Sequence, residues 1–190
     1  MKSIILSLVV VFFAEVIFAK DKPNFVWIIS EDNSIHYLNH FFPNGADTPN
    51  IKNMAANGVT FENAFSNAPV CSVARSTLIT SCYAPRIGAQ YHRRSMLAPM
   101  PDGLKMFPSY LRDKGYYTTN RSKTDYNLKQ GKDVWDQSSR KAHWKNRKSG
   151  QPFFHKASYA ISHESSLHFK EFAIENQPTI NKPKDVILAP

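Results

Sequence analysis

The sequence has few cysteines, few glycines and one apolar run long enough to suggest a targeting segment. Two of its 190 residues are cysteine, which excludes a disulfide framework and a four-cysteine zinc site. Seven glycines and twelve prolines exclude a collagen-like or linker-like chain. No internal repeat is visible, so a solenoid is not expected. Apolar residues make up 42% of the chain, which predicts one globular domain with its own core.

The apolar run lies at the start of the chain. A basic Met1–Ser3 precedes an apolar stretch from Ile4 to Phe13, and a short tail ends at Ala19. This layout is typical of a signal peptide, so we expect residues 1–19 to be cleaved and the protein to be periplasmic or secreted. An uncleaved anchor is the alternative, although the run is short for a membrane span. We expect no stable membrane span in the cleaved chain.

Positive charge is concentrated in the middle of the chain. The formal net charge is +9, and residues 86–148 contain fifteen lysines and arginines against five aspartates. In an exported protein, this excess favours an acidic polysaccharide over a nucleic acid as partner. A solvated basic face without a specific partner is the alternative.

Apolar runs and helix signals alternate along the chain. Thr48 and Pro49 predict the start of a helix that ends near Gly58. The other predicted elements are strands at 24–30, 116–119 and 152–161, an extended segment at 59–65, helices at 74–79 and 104–114, and a polar surface excursion at 129–150. This alternation predicts an α/β fold with a mainly parallel central sheet.

Two clusters have the residue types that chemistry needs. Glu31 and Asp32 follow the first predicted strand, and paired carboxylates suit a hard cation such as Ca²⁺, although such a pair can also be simply solvated. Cys71 lies just before the start of the helix predicted at 74–79, with Arg75 four residues later, and both the helix dipole and the guanidinium favour an anion there. A disulfide between Cys71 and Cys82 is the alternative.

The segment 71–80, Cys-Ser-Val-Ala-Arg-Ser-Thr-Leu-Ile-Thr, resembles the signature of type I sulfatases, whose motif is Cys-x-Pro-x-Arg. Segments 22–32, 48–61, 111–119 and 152–165 resemble further parts of that family in order and spacing. The resemblance implies an alkaline phosphatase-like α/β sandwich, of which residues 20–190 would be the N-terminal portion. Such a domain would be truncated at its C-terminus, because the family's remaining metal ligands and second lysine lie beyond the match.

The resemblance also implies the nucleophile and the metal. A formylglycine-generating maturation enzyme would convert Cys71 to formylglycine, whose hydrate oxygen attacks sulfur. Arg75 would hold that hydrate. Glu31 and Asp32, together with residue 71, would bind a Ca²⁺ that polarises the sulfate oxygens.

Three further catalytic residues are implied in the same way. Lys123 would bind a sulfate oxygen, and His163 would protonate the leaving alcohol, or the nitrogen of a sulfamate. Asp125 stands where the family usually has a histidine that takes a proton from the hydrate. Val73 stands in place of the motif's proline, and Ser81 where a glycine is common.

A basic segment follows the signature. His92, Arg93 and Arg94 are candidates for the substrate pocket, where they would meet an acidic sugar, and a solvated basic loop is the alternative. The function implied is hydrolysis of a sulfate ester or sulfamate on a sulfated glycan. Two alternatives remain open, a phosphoester or phosphonate hydrolase of the same superfamily and a non-catalytic basic glycan-binding fragment. For the 190-residue chain alone we expect little or no turnover.

Overall fold

A computed structural model describes residues 22–93 and 95–167 of the chain. These residues form a four-stranded sheet in the order β1-β4-β2-β3. The strands are β1 Phe25–Ser30, β2 Tyr117–Arg121, β3 Gln137–Ser139 and β4 Phe153–Tyr159. All of their pairings are parallel, which confirms the predicted α/β class. The predicted signal peptide at 1–19 lies outside the described residues.

The described ranges contain three α-helices, all between β1 and β2 in the chain: α1 Pro49–Ala56, α2 Cys71–Thr80 and α3 Phe107–Asp113. The first begins as the sequence predicts, with Thr48 at the N-cap and proline at the first helical position. The third begins later than the predicted residue 104 and ends before Gly115. That glycine has a φ of +87°, a left-handed conformation that glycine adopts without strain. Single turns of 3-10 helix cover Ile35–Tyr37, Ala84–Ile87, Trp144–Asn146 and Glu164–Leu167.

The parallel register brings the carboxyl ends of three strands to one edge of the sheet. β4 lies between β1 and β2. Near this edge it pairs Tyr159 with Ser30 of β1 and Ala157 with Arg121 of β2. The segments that follow these strands therefore start side by side, where open α/β sheets bind their ligands.

An aromatic cluster around Phe154 joins the sheet to the rest of the fold. Phe154 is 5% exposed. Its ring centroid lies 6.1 Å from that of Trp27, 5.1 Å from that of Phe107 and 5.9 Å from that of Trp135. The three neighbours belong to β1, α3 and the segment before β3, so one buried side chain connects four parts of the molecule. The tilted and stacked ring pairs add to the free energy of burial.

Two sequence predictions need correction. Residues 129–150 are not simply a surface excursion, because they contribute β3 and three buried side chains, Val134, Trp135 and Ala142. Residues 59–65 form no strand, and Phe61 and Phe65 are 76% and 89% exposed. The apolar residues Ile51 and Met54 of α1 are also exposed, at 40% and 66%. No helix among the described residues is long and apolar enough to cross a membrane.

We predict that Phe154→Ala lowers the free energy of unfolding by about 3–5 kcal/mol, because it leaves a cavity among three aromatic rings. Urea unfolding followed by tryptophan fluorescence measures this loss. The matched control is Phe61→Ala, whose side chain is exposed and whose removal should change stability by less than about 0.5 kcal/mol. Equal losses in the two variants would contradict the assignment of the core.

Candidate active site at the carboxyl end of the sheet

Glu31, the first residue after β1, is a buried carboxylate with two cationic partners. Its residue exposure is 5%. Arg75 Nη2 donates to Oε1, and Lys123 Nζ donates to Oε2 over 3.0 Å. The backbone carbonyl of Glu31 also accepts a 2.6 Å bond from Ser162 Oγ. A buried charge is tolerated where its partners are charged and well placed, so Glu31 draws together the segments that follow β1, β2 and β4 with helix α2.

Helix α2 places Cys71 at the edge of the same cluster. Cys71 is the first residue of the helix and is half-buried. Val73 and Ile79 anchor the helix in the hydrophobic core, which gives a packing reason for valine at the place of the family's proline. Both Cys71 and Cys82 are free thiols, so the structure does not contain the alternative disulfide. Ser81 caps the helix with a left-handed φ of 57°, the conformation in which glycine is common.

Cys71, Glu31 and His163 meet in this cluster. One potential ligand atom from each lies within 4.8 Å of the others. The backbone N–H of Ser165 donates to His163 Nδ1 over 3.2 Å. Ser165 Oγ also lies 2.8 Å from this nitrogen, so Ser165 holds the Nδ1 side of the ring.

The guanidinium of Arg75 is the hub of the polar contacts. It is 5% exposed. Beyond Glu31, it donates to Ser158 Oγ over 3.3 Å and to the carbonyl of Lys123 over 3.4 Å. The planar guanidinium can serve several acceptors at once, so Arg75 fixes the end of β4 relative to the segment that follows β2.

Sequence reasoning missed Lys156, a β4 residue that is 2% exposed. Its Nζ donates to Asn120 Oδ1 and to the Lys123 carbonyl, each over 2.8 Å. Burial lowers the pKa of Lys156 to about 7, and the charge of Arg75 acts in the same direction. The residue therefore holds the backbone that presents Lys123. One feature of the sequence could have indicated this residue, because Lys156 lies within a segment predicted to be a buried strand.

The basic segment after the signature docks on helix α2. Ser72 Oγ hydrogen-bonds His92 Nδ1 over 2.9 Å and accepts from the backbone N–H of Arg93 over 3.1 Å. Ser72 is 1% exposed, so this anchor is buried while His92 and Arg93 line the open cleft. Arg94 lies outside the described residues.

Asp125 forms a two-point contact with Arg93. Arg93 Nε and Nη2 donate to the two carboxylate oxygens, each over 3.3 Å. Burial alone would raise the pKa of Asp125, but the bonds and charge of Arg93, with the charge of Lys123, outweigh it and lower the pKa. A carboxylate of lowered pKa is a weak base, so this geometry favours orienting Arg93 over accepting a proton.

Asp32 lies beside the cluster rather than within it. Its φ is 51°, and its Oδ2 accepts a 2.8 Å bond from the N–H of Glu164. Asp32, Glu31, Cys71 and His163 line an open cleft of about 490 Å³. The two carboxylates suit a hard cation, which takes six to eight oxygen ligands, so they fit as one part of a coordination shell. The donors that accompany Glu31 within 4.8 Å are Cys71 and His163.

We predict that Lys156 makes stability depend on pH. Its pKa is lowered to about 7 in the fold, from 10.5, so the unfolded chain binds more protons between these values. The free energy of unfolding should therefore rise with pH through this window, by roughly 1–2 kcal/mol between pH 6.5 and 8.5 relative to Lys156→Met. Urea unfolding at a series of pH values measures the difference. Lys129→Met, which removes an exposed lysine, is the control, and a pH-independent difference for Lys156→Met would contradict the prediction.

Solved structures share this fold at low sequence identity. A protein solved in complex with its substrate D-glucosamine-2-N,6-O-disulfate superposes with a TM-score of 0.63 at 17% identity, over 76% of this chain and 35% of that one. Ps i-CgsB, solved in complex with k-i-k-neocarrahexaose, gives a TM-score of 0.61 at 18% identity, over 85% and 50% of the two chains.

Curated relatives are closer in sequence. The Ulvan-active sulfatase of Formosa agariphila is 35% identical over 157 residues, which are 77% of this chain and 26% of that protein. The N-acetylgalactosamine-6-sulfatase of Homo sapiens is 30% identical over 107 residues, 52% of this chain and 20% of that protein. The chain thus spans about a quarter of the length of these relatives or less. The Sulfatase family model matches residues 23–184, and the chain therefore belongs to the sulfatase family.

Proposed function

We propose that this chain carries the nucleophile and the sulfate-binding residues of an enzyme that hydrolyses sulfate esters or sulfamates on an acidic glycan. The observation that carries the proposal is the meeting of Cys71, Glu31 and His163, whose ligand atoms lie within 4.8 Å of one another. Arg75 and Lys123 both bind the same Glu31 carboxylate, which places two cationic groups beside this point. Cationic groups beside a nucleophile suit an anionic ester.

The relatives support a glycan as substrate. One is named for activity on ulvan, and one for N-acetylgalactosamine-6-sulfate. A structural neighbour holds a doubly sulfated glucosamine as its substrate. The formal net charge of +9 agrees with a polyanionic substrate.

Cys71 is the proposed site of the modification. Formylglycine at position 71, made by a maturation enzyme, would supply a hydrate oxygen as the nucleophile and would later expel sulfate to regenerate its aldehyde. The N-terminus of α2 favours negative charge at this residue, and Arg75 lies one turn further along the same helix. The cleft of about 490 Å³ in front of Cys71 has room for a sulfated sugar unit.

Lys123 and His163 are the proposed partners of the reacting group. Lys123 Nζ donates to Glu31 Oε2 over 3.0 Å, and from this position it would hold a sulfate oxygen and stabilise the charge that develops on it. His163 Nε2 would give its proton to the leaving oxygen or nitrogen, with Nδ1 held by Ser165. Arg75 would hold the oxygen of the modified residue 71.

Glu31 and Asp32 are the proposed ligands of a divalent metal, for which Ca²⁺ is our choice because both supply carboxylate oxygens. Such an ion, when bound, would polarise the sulfate oxygens. Arg93 and His92, and with them Arg94, would contact acidic groups of the sugar. Asp125 would hold Arg93 in place through its two-point contact.

We also propose that residues 1–19 are a signal peptide and that residues 20–190 form the N-terminal portion of a sulfatase catalytic domain. The support is the basic start and apolar stretch of the first nineteen residues. The protein would then be periplasmic or secreted, where sulfated polysaccharides occur and where a maturation enzyme would have met it before or during export.

We predict that the tryptic peptide Asn53–Arg75, from protein made in its native host, carries an aldehyde in place of the Cys71 thiol. Mass spectrometry with and without reduction measures this. Cys82 is the internal control, because it should keep its thiol. Val73→Pro, which restores the family's motif, should be processed at least as completely. An intact Cys71 thiol in the native-host protein, or a peptide that appears only after reduction, would contradict the proposal.

We predict that the processed protein releases sulfate from a sulfated oligosaccharide in a metal-dependent reaction. Because the two proposed ligands Glu31 and Asp32 supply only part of the six to eight oxygens that Ca²⁺ takes, we expect very slow turnover, so the assay uses protein in excess of substrate. His163→Ala should slow release by about 10²–10⁴-fold, the usual contribution of a general acid.

His36→Ala is the matched control for this assay, because His36 is exposed and does not line the cleft. A phosphorylated sugar tested in parallel separates the two reactions of the superfamily. Release of phosphate but no sulfate would replace the proposed function with that of a phosphoester hydrolase. Binding of the oligosaccharide without any release would leave a glycan-binding fragment.

A further inference from the structure

A second cleft lies beside the candidate active site. It has a volume of about 360 Å³ and is lined by the ends of β2 and β4 and by the segments that follow β2, β3 and β4. Its charged residues are Arg121 and Arg140, and its aromatic residue is Tyr159. None of the residues assigned above to the reaction lines it.

The two arginines give this cleft an uncompensated positive charge. Neither Arg121 nor Arg140 forms an ion pair with a carboxylate in the part of the chain that the structure describes. Both are exposed, so both guanidinium groups can reach a ligand. Guanidinium binds carboxylate and sulfate through two parallel hydrogen bonds, which makes a pair of arginines well suited to an acidic sugar.

Tyr159 adds a flat apolar surface to the charge. Its residue exposure is 46%, and Arg121 Cζ lies 5.9 Å from its ring centroid. Exposed aromatic rings combine an apolar face with a polar edge and so suit amphipathic ligands such as sugars. A cleft that offers a ring face together with two guanidinium groups therefore matches an anionic pyranose.

One hydrogen bond joins a residue that lines the first cleft to a residue that lines the second. Ser158 lines the second cleft, and its Oγ accepts from Arg75, which lines the first. Ser122 and Ile161 of the second cleft immediately precede Lys123 and the Ser162–His163 pair in the sequence. The two clefts are therefore neighbours along the same sheet edge, as adjacent binding sites for successive units of a polymer would be.

We propose that the cleft of Arg121, Arg140 and Tyr159 binds a second acidic sugar unit, so that the substrate is an extended polyanionic oligosaccharide whose neighbouring unit carries a carboxylate or sulfate. This inference rests on the proposed function, because it takes the first cleft as the place where one sulfate group is bound. The arginines contribute affinity and selectivity for chain length, and they do not contact the reacting group.

Calorimetric binding measurements on this chain, with three probes, test the proposal. The probes are inorganic sulfate, glucosamine 6-sulfate and a sulfated, uronate-containing hexasaccharide prepared from heparin. We expect the wild-type chain to bind the hexasaccharide at least tenfold more tightly than the monosaccharide. In Arg121→Gln/Arg140→Gln, hexasaccharide affinity should fall at least tenfold, while affinity for sulfate and for the monosaccharide changes less than twofold. Tyr159→Leu should weaken hexasaccharide binding several-fold.

A control double variant removes two positive charges at positions outside both clefts. Arg86→Gln/Lys129→Gln changes two exposed basic residues that line neither cleft, and hexasaccharide affinity should change less than threefold. Both double variants alter exposed side chains, so folding should be retained, and circular dichroism checks this. Equal losses in the two double variants would overturn the proposal in favour of a diffuse charge effect.

The remaining outcomes separate this proposal from the proposed function. Wild-type chain that binds sulfate and monosaccharide, but binds the hexasaccharide no more tightly, would overturn the second sugar site and leave the proposed function intact. Hexasaccharide binding that depends on Arg121 and Arg140, without any binding of sulfate or monosaccharide, would support the second site and remove support for the first. Absence of binding to all three probes would overturn both.

Discussion

The arrangement of this site depends on the two ion pairs of the Glu31 carboxylate. The carboxylate is buried, and it binds the guanidinium of Arg75 and the ammonium group of Lys123. These three residues belong to three separate parts of the chain, so the ion cluster fixes the end of β1, the first turns of α2 and the segment after β2 relative to one another. Removing one member of such a cluster leaves a buried charge without its partner, which typically costs about 3–5 kcal/mol.

Two side chains of the central strand β4 bind residues of this cluster. Lys156 and Ser158 bind the backbone of Lys123 and the side chain of Arg75, respectively. The group contains the cationic side chains of Arg75, Lys123 and Lys156 and the carboxylate of Glu31, and Lys123 Nζ also lies 3.7 Å from the carboxylate of Asp125. Burial, and then the charge of Arg75, lower the pKa of Lys156, which reduces the repulsion among the three cationic groups.

Sequence patterns predicted the family of this chain better than its packing. The motif of 71–75 and its flanking segments predicted the family, and the spacing of helix signals predicted α1 and α2 closely. The sequence did not predict β3 or the buried Trp135, because residues 129–150 are mostly polar and rich in lysine. Three apolar side chains among so many charged residues give no clear hydrophobic periodicity. Lys156 was also missed, since a lysine within a strand is usually exposed.

The sequence predicted some of the residues at the site, but it did not predict the residues that they contact. The sequence offered Asp125 as a replacement for a basic histidine, whereas in the structure its carboxylate binds Arg93, 32 residues earlier in the chain. Asp32 was expected beside Glu31 in a metal site, and the sequence did not show that its Oδ2 accepts a bond from the backbone of Glu164. Both differences arise from contacts between segments that are distant in sequence, which no local pattern records.

The amino-acid sequence by itself determined the alternation of strands and helices, the placing of Cys71 at a helix start and the acidic residues at the end of the first strand. Each of these follows from local propensity, capping and apolar periodicity, which act over a few residues. The tertiary structure alone decided that Glu31, Cys71 and His163 meet, that Lys156 holds Lys123, and that Arg121 and Arg140 share a cleft. The parallel register of β1, β4 and β2 is the physical reason, because it brings three chain segments, up to 132 residues apart, to one edge of the sheet.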